Sequence, residues 1–191
     1  MKEIIASIKS ELRANMNGVA SQTMREAGMT ADYRVNFGID LPRLQIIADD
    51  VRHSIAEGLD EDEMMSLAQQ LWKERVRECR ILGIMLYPAH RMLADVADIW
   101  ADDIRSVELA QIAALHLFSH VTRASSLAFR WIADENEMKQ MIGFYTAFHL
   151  IRGGELAERS RNEIIDQAKA VNAENPQLVV IANKILNLLE E

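Results

Sequence analysis

Cysteine, proline and aromatic side chains are all scarce in this 191-residue chain, and each scarcity narrows what it can be. A single cysteine excludes an internal disulfide. Cys79 stands beside the apolar run of RECRILGIML, which gives it the character of a small buried side chain in a reduced compartment. A nucleophilic cysteine needs a base and a polar setting, and neither is evident there. Three prolines and 6% aromatics, set against abundant Ala, Leu, Ile, Met, Arg and Glu, favour helix. No segment approaches the about 18 uninterrupted apolar residues of a membrane span. The N-terminal MKEIIASIKSELRANM is amphipathic but contains Glu3 and Glu11 and lacks a cleavable apolar core. The expectation is a cytoplasmic protein, neither exported nor in a membrane. Excess positive charge is missing too. The net charge of −8 and pI of about 5.2 disfavour indiscriminate phosphate binding, while leaving room for a local basic face.

What is present is helical periodicity along nearly the whole chain. Ile4, Ile5, Ile8 and Leu12 share one face of a helix over 2–14, and a second segment runs from about 19 to Gly28. After Pro42 a helix carries Leu44, Ile46, Ile47, Val51 and Ile55 and stops near Gly58. DEDEMMSLAQQLW opens with carboxylates, which suit a helix N-terminus. RVRECRILGIMLY is apolar all round after its first turn, the pattern of a helix buried between neighbours. Beyond Pro88, AHRMLADVADIWADD precedes helices expected at 106–121, 123–133, 137–151, 161–173 and 177–190, the last started by Asn175-Pro176. No strand has period-two support. Helices of this length with short connections imply antiparallel neighbours, and their spacing fits a curved all-α solenoid of degenerate repeats in one helical-repeat domain, 1–191.

Several constellations invite a functional reading. His116 and His120 are spaced to share a helix face, but a metalloprotease motif has Glu directly after its first His and this chain has Leu117. With no third ligand near, the expectation is no metal. Gly153-Gly154 lacks the lysine of a phosphate loop and reads as a helix end. Asp95, Asp98 and Asp102 follow helical spacing and read as a solvated acidic face. Trp72, Trp100 and Trp131 read as core anchors. Positive charge concentrates in KERVRECR and continues at Arg91. Arg77 and Arg80, three apart, can project together toward a phosphate backbone, with ion pairing to Glu74 and Glu78 as the competing use.

Two segments carry a resemblance. FGIDLPRLQIIADDV has an aromatic-Gly-Ile step and a proline opening a basic-apolar helix. LWKERVRECRILGIML follows with Leu-Trp and an Arg-Glu pair leading into a buried helix. Together they resemble the DNA alkylation repair proteins, the alkylpurine DNA glycosylases built of HEAT-like repeats. The likeness extends through SVELAQIAALHLFSHV and FRWIADENEMKQMIGFYTAFHLI, covering about 20–152. It implies five or six HEAT-like antiparallel helix pairs whose concave face holds duplex DNA. It also implies release of cationic N3- or N7-alkylated purines with no metal and no cofactor. Alkylation already makes the base a good leaving group, so such an enzyme has only to stabilise positive charge developing on the sugar with a carboxylate and aromatic faces.

The resemblance places an aromatic and, four residues on, the acid early in the helix at 106–121. This chain has Val107 and Gln111 there, and Met141 where the DNA-contacting arginine is expected. A one-residue slip offers Glu108 as the carboxylate but then brings Ile112 and Gln140 to the other positions. Leu41 occupies the usual Ser/Thr cap after the aromatic-Gly step, with Asp40 as its substitute. The resulting expectation is a family member that binds duplex DNA, with Arg77, Arg80 and Arg91 as phosphate contacts and with alkylpurine excision lost or altered. The alternatives are a scaffold that holds a protein partner on the same face, and an active glycosylase using Glu108.

Overall fold

In a computed structural model, residues 1–30, 32–157, 159–171 and 174–190 are described, and every regular element among them is helical. In chain order these are α1 (Lys2–Ala14), α2 (Gly18–Glu26), α3 (Leu41–Asp50), α4 (Glu61–Lys73), α5 (Arg77–Leu86), α6 (Ala94–Asp103), α7 (Val107–His116), α8 (Ala124–Ile132), α9 (Glu137–Arg152), α10 (Arg159–Lys169) and α11 (Pro176–Glu190). The contacts divide the helices into two compact units, Met1–Pro88 and Ala89–Glu191. Positions 172 and 173, the end of one expected helix, lie outside the described residues.

In the first unit, side chains cap the starts of α2, α3 and α4. Asp40 accepts from the Arg43 N–H at 2.8 Å, so it does supply the cap that Leu41 cannot, and Pro42 sits in the first turn behind it. At α4, Asp60 and Glu63 form a reciprocal capping box. α3 continues into a π-helical turn, Val51–Ile55, closed by the Ala56 N–H on the Val51 carbonyl at 2.8 Å. α5 pairs with α4 and also packs on α3, which leaves Arg80 as its least buried residue. That two-sided packing is why its sequence shows no polar stripe.

In the second unit, α9 is the central helix, touching α7, α8 and α11, with α10 packed on α11. α8 therefore pairs with α9 and α10 with α11, while α9 also packs on α7 and on α11, as in repeats sharing one continuous core. Trp131, Phe118 and Phe144 are buried here, each large apolar side chain contributing about 1.5–3 kcal/mol on removal from water. α7 is shorter than the 106–121 expected. Its end swings Phe118 inward to meet the Trp131 ring at 4.9 Å, edge to face, and Phe118–His120 forms a separate 3₁₀ turn. His116 and His120 therefore do not share an α-helical face.

Candidate nucleic-acid interface

The two segments that carry the resemblance meet in the first unit. Val35 and Val76 form a parallel β-bridge, in which the Arg34 and Val35 N–H groups donate to the Arg75 carbonyl at 2.7 and 3.2 Å. The Arg77 N–H returns a bond to the Val35 carbonyl at 3.1 Å. Below the bridge, the fully buried Glu78 carboxylate accepts from the Phe37 and Ile39 N–H groups at 3.0 and 3.4 Å. Arg77 completes the joint, its guanidinium donating at 2.9 Å both to the Ile39 carbonyl and to Glu78. An irregular stretch inside a protein must satisfy its peptide groups somehow, and here a charged pair does it.

This placement corrects the reading of Arg77 as a phosphate contact. Its side chain is 3% exposed, so the guanidinium is a core group and cannot face a nucleic acid. Arg80 is half-buried, its guanidinium carbon 4.8 Å from the centroid of the Trp72 ring in a cation–π contact. The exposed cations of KERVRECR are instead Lys73, the last residue of α4, and Arg75, on the turn that leads to α5. Both lie within the KERVRECR concentration of charge, but the three-residue spacing of Arg77 and Arg80 points to the wrong pair, because α5 is packed on both sides. Arg91 is exposed, on a 3₁₀ turn (Ala89–Arg91) of the second unit.

α7 is capped by Ser106, which accepts from the Leu109 N–H at 3.3 Å. Val107 and Glu108 are half-exposed in its first turn, where a carboxylate suits the helix dipole. Gln111, one turn on, is exposed, and its amide donates to the Tyr145 hydroxyl at 2.7 Å. Tyr145 comes from α9, 34 residues away, and nothing in the local sequence announces the pairing. Met141 is 1% exposed, a core residue that presents nothing to a ligand.

Of the acidic residues of α6, Asp95 and Asp102 are exposed as expected of a solvated face, but Asp98 is half-buried. Asp98 accepts from the Trp131 indole N–H at 2.7 Å and pairs with Arg130, while Asp102 accepts from Lys139 at 2.7 Å. Lys139 also faces Asp134 at 3.5 Å. Burial works against its charge, but these two carboxylates outweigh burial and hold its pKa above the ordinary value. Asp134 is held low, first by the Asn136 backbone N–H and then, against burial, by Lys139. Two of the three aspartates therefore tie α6 to α8 and α9. Burial pushes the Cys79 thiol up to about 12, the signature of an inert core thiol. Among the described residues, no three His, Cys, Asp or Glu side chains converge as metal ligands would.

The family model described as DNA alkylation repair enzyme matches residues 8–181, wider than the 20–152 over which the motifs are recognisable. The chain belongs to the DNA alkylation repair family. A solved structure also matches, from a new family of proteins related to the HEAT-like repeat DNA glycosylases with affinity for branched DNA structures. It shares 16% identity, the match covering 96% of this chain and 74% of that one with a TM-score of 0.79. At that identity the likeness shows the fold, which is HEAT-like and all-α. No curated protein matches the chain. Among the described residues of this DNA alkylation repair family member, no helix is long and apolar enough to cross a membrane.

Proposed function

We propose that this protein binds DNA on its HEAT-like scaffold and does not excise alkylated purines. The observation that carries the second half is Gln111. At the position where the resemblance puts the acid stands a neutral amide already committed to the Tyr145 hydroxyl. An amide gives no Coulombic help to a sugar becoming cationic, and losing one such preorganised electrostatic group costs about 10²–10³ in rate. Val107 has no π face, and Met141 is buried, so neither replaces what is missing. The DNA half is supported by family membership and by the affinity of the related solved protein for branched DNA.

The test is release of 7-methylguanine from alkylated duplex, run beside anisotropy titrations with an intact duplex and a four-way junction. No release above buffer, together with salt-dependent binding, is the expected result. Release abolished by Glu108→Gln would establish the shifted-carboxylate glycosylase instead. Absence of DNA binding at low salt would leave the protein-partner scaffold, which the acidic total favours.

A further inference from the structure

The first unit holds a concentration of positive charge, most of it without an ion-pair partner among the described residues. Lys9 and Arg13 from α1, Arg34 from the bridge segment, Lys73 from the end of α4 and Arg75 from the turn after it line one groove of about 590 Å³. Glu74 is the sole acid among its lining residues, and it pairs with Lys9 at 2.7 Å. Arg13, Arg34, Lys73 and Arg75 are all exposed and have no ion-pair partner among the described residues. Four such cations in a chain of net charge −8 form a local exception to its overall sign.

The frame beneath them is fixed. Arg34 and Arg75 are held side by side by the 2.7 Å backbone bond of the bridge, which the buried Arg77–Glu78 pair anchors from below. Like charges held together on a rigid frame repel one another when the groove is empty, and an anion relieves that repulsion. The groove is not isolated. A depression of about 380 Å³ shares Arg34 with it, and one of about 420 Å³ shares Arg25 with that. Arg34 and Arg25 thus link the groove to its two neighbours, the last of which also carries Glu26. Phe37, the groove's aromatic side chain, is only 8% exposed, which offers a base no open face for stacking.

We propose that this groove binds the sugar–phosphate backbone of nucleic acid without reading its sequence. The inference rests on the DNA-binding reading and assigns that binding to Lys73 and Arg75 of the KERVRECR segment together with Arg13 and Arg34, which lie outside it. The guanidinium forks of Arg13, Arg34 and Arg75 match phosphate oxygens two at a time, with Lys73 as a point charge.

The experiment is anisotropy with three duplexes of unrelated sequence at several salt concentrations, comparing wild type with the triple variant Arg13→Ala, Arg34→Ala, Arg75→Ala. All three side chains are exposed, and circular dichroism checks the fold. The slope of log affinity against log salt is expected to fall by roughly one per cation removed, equally for every sequence. Arg52→Ala, whose charge already pairs with Asp49 at 2.8 Å, should leave the slope unchanged. If wild type binds DNA and the triple variant keeps its affinity and slope, the groove assignment is overturned and the proposed function stands. If wild type binds no DNA, both fall. Displacement of duplex by polyglutamate as readily as by unlabelled duplex would overturn nucleic acid as the occupant.

Discussion

Gly38 is a position where one added carbon atom has nowhere to go. Its φ is +71°, and a Cβ there would lie 2.4 Å from both the Asn17 carbonyl oxygen and the Ser21 nitrogen at the start of α2. Both are backbone atoms, so no side-chain rotation relieves the clash. Gly38→Ala is expected to destabilise by about 3 kcal/mol or more, the sum of left-handed strain and overpacking. Gly28, with φ +73° and open space around its Cβ, carries the strain alone. Urea denaturation of both variants separates the two contributions, and equal losses would refute the packing account. His149 supplies a second residue-scale expectation. Burial, then the positive charge of Arg152, His116 and His120, depress its pKa below the ordinary 6.5. As pH falls, the unfolded chain takes up this proton first. The stability contribution is therefore complete above about 6.5 and declines as pH drops toward the lower native value. His149→Gln should reduce the loss of urea midpoint between pH 7.5 and 5.5; an unchanged loss would assign it to other groups.

Helix crossings show the same device in each unit. A Cβ on Gly83 of α5 would lie 2.9 Å from the Ala68 carbonyl oxygen of α4, and one on Gly143 of α9 would lie 2.7 Å from both the Ala128 oxygen and the Ile132 nitrogen of α8. Glycine lets each pair approach backbone to backbone, a kinship between repeats that their sequences do not display. Gly143→Ala should cost about 1–3 kcal/mol and more than Gly83→Ala, because both nearest contacts are shorter. The comparison is again a pair of denaturation curves, and the reverse order would contradict it. Elements were the most legible scale in the sequence, since periodicity and caps such as Asp40, Asp60 and Asn175 are local signals. What escaped was every feature set by distant partners. α7 ends early because Phe118 meets Trp131, and Asp98 is taken up by residues more than 30 positions away.

At the scale of the whole molecule, family likeness and site chemistry were readable to different degrees for a physical reason. The aromatic-Gly step and the Arg-Glu pair build a joint whose every atom is constrained, so their pattern is recognisable. Gln111 and the exposed cations Lys73 and Arg75 are constrained by what they would touch, and a single sequence carries no trace of that. Net charge misled as well. A total of −8 argues against phosphate binding by the molecule as a body, yet Asp98, Asp102 and Asp134 neutralise cations of their own unit, while Arg13, Arg34, Lys73 and Arg75 of the other have no ion-pair partner among the described residues. Screening at about 10 Å in 0.1 M salt lets a local patch act under its own sign.

The buried Arg77–Glu78 pair has a consequence for folding as well. The stretch Phe37–Ile39 is irregular by conformation and would ordinarily open by itself, as loops do. Here it cannot leave without stripping two backbone N–H donors from the buried Glu78 carboxylate and a carbonyl from the Arg77 guanidinium, each bond to a charged group being worth about 1.5–3 kcal/mol. Its opening is therefore tied to the unfolding of the unit around it. A loop by shape, it belongs to the cooperative core by energy.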